Sequence, residues 1–461
     1  MTPQNFVKRW DKVLLKETAA AQPHFYDVCA LVGHALPHVA DPKGEFFTFE
    51  ASTDKTTGGR GRADVWYKGQ FIWEYKGVHA DLDKAYQQLL LYRESLGNPP
   101  LLITSDLQRI IIHTNFTGTV KQVHEITFDR LLTGDGLALL RRAFHEPESF
   151  KPTQTQERAT QATAETFVQV VKTLQEWSKH HDEPTSPERL AHFVIRLFFC
   201  LFAEDLGLLP NKLFTTLVER QRANHRHFMD GLRNLFATMR DGGFFGPDRI
   251  PHFDGGLFDD AFVPALPSDI IDHLLKSARQ DWSAIDPTIF GTLFERVIDE
   301  DKRAQLGAHY TSRDDILLIV EPVLMKPLRD EWRELRSWAN QQLKHPANHQ
   351  AVSERLVAFA DRLAAFRVLD PACGSANFLY VSLRLLLDLQ KEVITFAAAN
   401  GLGAIPLTVS PAQLYGIEIN PYAHELAQIT VWIGYLQWRK ENGFADFTEP
   451  ILRPLHNLSL I

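Results

Sequence analysis

"FRVLDPACGSANFLYVSL", residues 366–383, opens as an apolar run that stops on Asp370, passes through the small residues Pro371 to Ala376, and resumes as a helical apolar pattern near Asn377. A buried strand that breaks into such a loop before a helix suits a nucleoside-bearing ligand, because small side chains let the ligand approach the backbone. Neither G-x-G-x-x-G nor G-x-x-x-x-G-K-[ST] is present there, so a dinucleotide pyrophosphate and a triphosphate are both disfavoured. Further on, "LYGIEINPYAHELA", residues 414–427, reads as a second strand ending on Glu418, followed by a helix that Pro421 can start. An acid at that strand end can accept both hydroxyls of a ribose.

A different chemistry is written near the beginning of the chain. "GRADVWYKGQFIWEYKG", residues 61–77, holds two β-runs joined by Lys68-Gly69-Gln70, a loop of the length and glycine content that closes a hairpin. Counting outward from Gly69 sets Tyr67 opposite Phe71 and Asp64 opposite Glu74. The two carboxylates are then cross-strand neighbours at roughly 5 Å, and Lys76 shares the face of Glu74. Like charges opposite each other destabilise a sheet unless a positive group lies between them, and a hard divalent cation, magnesium, fits oxygen ligands of this kind. A cation so held beside a lysine can polarise a phosphoryl oxygen and orient an attacking water. On its own, D-x9-E-x-K also describes a hairpin with a solvated polar face. Here the other face is apolar (Phe71, Trp73, Tyr75), and a helix with Gln88 and Tyr92 four residues apart follows at once. With these additions the stretch resembles the PD-(D/E)XK nuclease superfamily.

The stretch at 366–383 strongly resembles the cofactor motif of adenine-specific DNA methyltransferases, whose usual form is D-P-A-C-G-S-G-N-F. "LGAHYTS", with Gly307, Tyr310 and Thr311, resembles the motif that precedes it in those enzymes and closes on the methionine end of S-adenosylmethionine. A D-x9-E-x-K segment, a helical spacer and a methyltransferase opening with "FGTLFERVIDEDKRAQLGAHYT" together resemble the MmeI-like (type IIL) restriction-modification enzymes, over essentially the whole chain. The resemblance implies Asp64, Glu74, Lys76 and Gln88 as nuclease residues, with Asp64 and Glu74 as magnesium ligands. It implies Gly307, Tyr310, Thr311, Asp370, Ala372, Gly374 and Glu418 as the S-adenosylmethionine site, and double-stranded DNA as partner.

Two departures stand out. Ala376 occupies a position where the family usually has glycine, which adds a methyl close to the cofactor and is expected to alter affinity. The N-P-P-[YF] loop that holds an extruded adenine does not follow Glu418. "NPPLL" at Asn98 precedes the cofactor motif and has Leu101 for the aromatic residue, and "NPY" at Asn420 lacks the second proline. The expectation is the N-terminal portion of such an enzyme, unable to methylate DNA alone, with a separately encoded C-terminal segment as one completing partner. A stand-alone metal-dependent nuclease with a methyltransferase scaffold, and a non-enzymatic DNA-binding subunit, are the alternatives.

Composition agrees with several units in one chain. With 461 residues and 44% apolar content, roughly three domains are expected. These are an α/β nuclease-like domain over 1–148, with β-runs "FFTFE", "ADVWY", "FIWEYK", "LLITSD" and "RIIIHT"; a polar linker, or a solvated helix start, over 149–165; an all-helical spacer over 166–285; and the start of a Rossmann-like class I methyltransferase domain over 286–461. The segment "DGGFFGPDRIPHFDGGLFDD" is read as turns interrupting the spacer. Phe6, Trp10, Val13 and Leu14 fall on one face of an N-terminal docking helix. The apolar run Phe193–Ala203, interrupted by Arg196, is shorter than the roughly 20 residues that span a bilayer and reads as a core helix. The three cysteines are far apart, which suits a reducing cytoplasm and no disulfide framework. A net charge of -8 argues against a protein coated by nucleic acid, yet leaves room for a local basic channel.

Overall fold

The computed structural model describes the chain except residues 56–59, 154, 181–184, 221–223, 254–255, 268, 290, 292–310, 445–446, 456–457 and 461. The first region is built on a six-stranded sheet. Its elements are α1 (Pro3–Trp10), α2 (Glu17–Val32), α3 (Pro37–Ala40), β1 (Phe47–Asp54), β2 (Arg60–Tyr67), β3 (Phe71–Tyr75), α4 (Leu82–Tyr92), β4 (Leu101–Ser105), β5 (Arg109–Thr114), β6 (Val123–Thr127), α5 (Phe128–Thr133) and α6 (Asp135–His145). The strands lie in sequence order, antiparallel throughout except that α4 carries the chain over to a parallel β3–β4 pair.

Helices cover both faces of β3, so each of its residues is buried and the apolar alternation splits between two cores. Phe71, Trp73 and Tyr75 pack with Phe6, Trp10, Phe25 and Phe144 from α1, α2 and α6. Ile72 packs on the other side with Leu89, Leu90 and Tyr92 of α4. Glu74 therefore faces α4. The N-terminal helix is shorter than its sequence pattern suggests: it stops at Trp10, whose indole N–H donates to Asp27 Oδ2 (2.9 Å), and Leu14 is left exposed.

The middle region contains α7 (Gln156–His180), α8 (Pro187–Asp205), α9 (Leu213–Arg220), α10 (His225–Asp241), the short strands β7 (Gly243–Phe245) and β8 (Asp248–Ile250), and α11 (Ile270–Ala278). The polar stretch over 149–165, read as a linker or a solvated helix start, is helical from Gln156 onward. Its buried positions, Ala159, Thr160, Thr163 and Ala164, are small, so they permit close packing without contributing an apolar signal. One expectation needs correction here, because the spacer is not all-helical. Phe244 pairs with Arg249 in an antiparallel hairpin, and its glycines and exposed aromatic hide it among turn residues. The apolar α8 is a core helix, as its length requires. Arg196 is wholly buried on it, donating to Leu257 O (2.7 Å) and pairing with Asp260 (2.7 Å).

The last region follows the order α12 (Arg313–Val320), α13 (Lys326–Gln342), α14 (His349–Ala365), β9 (Val368–Asp370), α15 (Asn377–Ala399), β10 (Leu414–Glu418), α16 (Pro421–Glu441) and β11 (Leu458–Leu460). The three strands form a parallel sheet in the order β11-β10-β9, with α15 and α16 as the connections. The strand ending on Asp370 is not buried as expected. It has three residues, pairs on one side only, and leaves Leu369 62% exposed. One apolar cluster runs from Ala159 to Leu458, so the middle and last regions share a core. All three cysteines are buried and unpaired. No described helix is long and apolar enough to cross a membrane.

Candidate functional site

The first constellation lies where α4 crosses β2 and β3. Tyr67 pairs with Phe71 and Val65 with Trp73, which carries Asp64 and Glu74 to the end of the β2–β3 ladder on the side facing α4. The backbone N–H of Tyr75 donates to Asp64 Oδ2 (2.6 Å). Lys76 Nζ donates to Glu74 Oε1 (2.8 Å), and Gln88 Nε2, one turn before the end of α4, donates to the same oxygen (2.6 Å) and to Tyr92 Oη (2.8 Å). Glu74 Oε2 is buried and has no hydrogen-bond partner among the described residues. Across the sheet, Glu50 lies between the paired Phe49/Val65 and Ala51/Ala63 with φ 50°, a left-handed conformation that costs a non-glycine residue about 1–2 kcal/mol.

The electrostatics follow from burial. Loss of solvent pushes Asp64 up to about 6, opposed by the Tyr75 N–H and aided by Glu17. Burial, then the charge of Asp64, pushes Glu74 up to about 7. Burial works against the Lys76 ammonium, but Glu74 holds it above the usual lysine range. Two buried carboxylates, the charge of Asp64 raising Glu74 and the latter with an orphaned oxygen among the described residues, fit a hard divalent cation. Among the described residues no group of three or more His, Cys, Asp or Glu side chains is arranged around a metal. The protein thus supplies two carboxylates, and water or a phosphate oxygen would complete the shell, as suits magnesium. Sequence reasoning missed Glu17, whose Oε1 lies 4.0 Å from Lys76 Nζ. It opens α2, forty-seven positions before Asp64 in the chain, and no spacing rule singles it out.

The second constellation sits at the ends of β9 and β10. Asp370 Oδ1 accepts the Ala372 N–H (3.1 Å), and Glu418 Oε2 accepts the Gly374 N–H (2.8 Å), which ties the loop to the neighbouring strand. Glu418 Oε1 accepts the N–H groups of Ile419 (2.8 Å) and Asn420 (2.7 Å). A carboxylate offers about four lone-pair sites, and three are taken. Glu418 can therefore accept one ribose hydroxyl as it stands, and the second only by releasing Gly374. Burial, with the neighbouring Glu418 charge, raises Asp370. Gly374 adopts φ 53° with open space among the described residues where a Cβ would stand, so a ligand can approach its backbone.

Asp370, Ala372, Gly374 and Glu418 are thus brought together. Thr311 is half-buried just before the Ser312 cap of α12, and Gly307 and Tyr310 lie outside the described residues. Ile419 was not anticipated. It follows Glu418 and is 72% exposed, an apolar surface beside the acid that suits the face of a purine. These features fit S-adenosylmethionine: acids for hydroxyls, a small-residue loop for close approach, an apolar surface for a ring.

Ala376 corrects one expectation. It caps α15 at φ 67° and is wholly buried in the core, so its methyl does not line the open side of the loop. Ala376→Gly relieves about 1–2 kcal/mol of left-handed strain but loses a buried methyl and loosens the unfolded chain, each worth up to about 1 kcal/mol. Expected outcomes are a stability change within about 1 kcal/mol by urea titration and S-adenosylmethionine affinity within roughly a factor of two of the parent, given that the methyl faces away from the ligand.

Arg233 and Arg240 pair with Asp230 and Asp241, Arg220 and Arg226 are exposed, and Arg222 lies outside the described residues.

Comparison with known proteins covers the second constellation and the middle region. Residues 345–459 match the DNA-methyltransferase domain of MmeI, and residues 188–258 match the MmeI helicase spacer domain. A DNA methyltransferase A of Bacillus subtilis is 30% identical over 274 residues, 57% of this chain and 30% of that protein. A putative type II restriction enzyme and methyltransferase of Methanocaldococcus jannaschii is 23% identical over 288 residues, 52% of this chain and 24% of that protein. The match thus spans less than a third of either relative's length. The solved structure of the type IIL restriction-modification enzyme MmeI in complex with DNA superposes with a TM-score of 0.53 at 26% identity, covering 65% of this chain and 40% of that one.

Proposed function

The chain is an MmeI-like protein, and from that premise we propose that it is a portion of a restriction-modification enzyme that methylates adenine in double-stranded DNA with S-adenosylmethionine and cuts DNA with magnesium. The observation that carries the nuclease half is Glu74, buried beside Asp64 with Oε2 unpartnered among the described residues while Lys76 and Gln88 hold Oε1. On this reading the first region is a PD-(D/E)XK-type nuclease and the sheet β11-β10-β9 is part of a Rossmann-like class I methyltransferase. Magnesium, when bound, would neutralise the paired carboxylates and polarise a phosphoryl oxygen. Asp64 and Glu74 would hold it, Gln88 and Tyr92 orient Glu74, and the Lys76 ammonium face the charge that develops on phosphate. At the other site Glu418 binds the ribose, Ile419 covers the purine, and the loop from Asp370 to Ala376 admits the rest of the cofactor against its backbone.

Methyl transfer needs more. An extruded adenine must have its amine held in line with the methyl group, and positioning of that kind carries a large part of the barrier reduction. No N-P-P-[YF] follows Glu418 among the 461 residues, so this chain is expected to bind the cofactor without passing its methyl to DNA. Calorimetric titration with manganese and, separately, with S-adenosylmethionine should find two independent sites, and radiolabelled cofactor should leave genomic DNA unlabelled. Failure to bind either ligand would overturn the proposal, and label on adenine would overturn the assignment of base-holding to the absent motif.

A further inference from the structure

The helix that serves the carboxylate pair does not end inside its own region. α4 delivers Gln88 to Glu74 and Tyr92 to Gln88, and the next two residues, Arg93 and Glu94, meet the last region of the chain. Lys391, on α15, donates to Glu94 Oε1 (2.5 Å) and to Asn442 Oδ1 (2.8 Å). Arg93 donates to the same Asn442 oxygen (3.1 Å) and, with its other amino group, to Asn115 (3.0 Å). Asn442 is itself fixed, since its amide N–H donates to Trp438 O (2.8 Å) at the end of α16. Next to it, Gly443 lies so close to the last turn of α4 that a Cβ there would stand 2.8 Å from Leu91. The end of α4 is thus clamped between its own sheet and the two helices α15 and α16.

The charges in this clamp serve geometry more than stability. Burial works against the Glu94 carboxylate, yet Lys391 and Arg93 hold it below the usual range, while burial lowers Lys391. A half-buried pair with desolvation on both sides adds little net stability, but its removal leaves an uncompensated charge and frees the groups it aligned.

We propose that Lys391 is a positioning residue for the carboxylate pair. Through Glu94 it fixes the last turn of α4, hence the Gln88 amide that holds Glu74 Oε1, and so directs Oε2 toward a bound cation. The inference rests on the reading of Asp64 and Glu74 as a divalent-cation site. It adds that this site is complete only when the sheet region is docked on α15 and α16.

Manganese titration of the full chain tests it, using Lys391→Met, Lys391→Arg and Glu94→Gln, none of which touches the cation. Outer-shell partners of metal ligands typically cost about 10–100-fold in affinity, and Lys391 acts one step further out, so a weakening of roughly threefold to tenfold is expected in Lys391→Met and Glu94→Gln. Lys391→Arg keeps the charge and should recover most of the affinity. A purely structural role would lower the melting temperature of Lys391→Met and leave manganese affinity at the parent's value, which overturns the inference. So does a failure of arginine to rescue. If the parent binds no manganese, the reading of the carboxylate pair falls first and the inference with it.

Discussion

Glu74→Gln is expected to abolish manganese and magnesium binding and, at pH 8 without metal, to make the chain more stable than its parent. The two effects share one cause. Burial beside Asp64 raises Glu74 to about 7 and Asp64 to about 6, whereas both titrate near 4 in an unfolded chain. Between about pH 4 and about 7 the folded chain therefore holds protons that the unfolded chain has released. Stability of the metal-free protein falls as pH rises through that window, since folding there favours the protonated form. Above it both carboxylates are charged, face each other, and cost on the order of 3 kcal/mol each. A glutamine at position 74 removes one of the charges. Its melting temperature should exceed the parent's by a few degrees at pH 8 and match it near pH 4. Divalent cations reverse the sign for the parent alone, binding weakly below about pH 6 and fully above about pH 7 as protons leave the pair. Where DNA cleavage is measurable, the variant should lose several kcal/mol of transition-state stabilisation, about a thousandfold or more in rate. Manganese binding by Glu74→Gln at the parent's affinity, or a melting difference independent of pH, would show that the pair is not a metal site.

How far the sequence led depended on whether a pattern was local. The five β-runs correspond to β1 to β5 because each concentrates β-branched, aromatic or other apolar residues over a short length. β6 was missed, since "VHEIT" buries one residue of five. The facing of Asp64 and Glu74 was legible because one glycine turn fixes the register on either side of it. Gln88 was legible for a similar reason: α4 follows the hairpin directly and its spacing of four from Tyr92 sets both on one face. Glu17, Ile419 and the clamp around Lys391 were not legible. Glu17 and the clamp gain their roles from contacts made across dozens or hundreds of residues, which no periodicity encodes, and Ile419 gains its role from an exposure that sequence does not show. The short, edge-like β9 misled for another reason. Its composition is that of a buried strand, and apolar content cannot tell whether a sheet continues beyond it.

At the second site the largest effect should come from Gly374→Trp, which is expected to remove the stabilisation that S-adenosylmethionine gives the parent. A ligand that binds only the folded chain raises its stability by about 2.7 kcal/mol at a hundred times its dissociation constant. The backbone at Gly374 has φ 53°, so any side chain there costs about 1–2 kcal/mol, but among the described residues no atom lies within 4 Å of the position its Cβ would take. The indole can therefore extend into the space the loop leaves open without disturbing α15 or β10. The variant should fold, melt slightly below the parent, and show no cofactor-dependent shift. Ile419→Ser provides the finer comparison. Removing one exposed isoleucine from a ring face forgoes about 1.5–3 kcal/mol if the purine covers it, roughly a tenfold to hundredfold loss of affinity with no change in the unliganded melt. A full cofactor shift in Gly374→Trp would place the ligand elsewhere. Loss in Gly374→Trp with parental affinity in Ile419→Ser would keep the loop as the binding site but move the purine off the end of β10, and with it the hydroxyl-accepting role of Glu418.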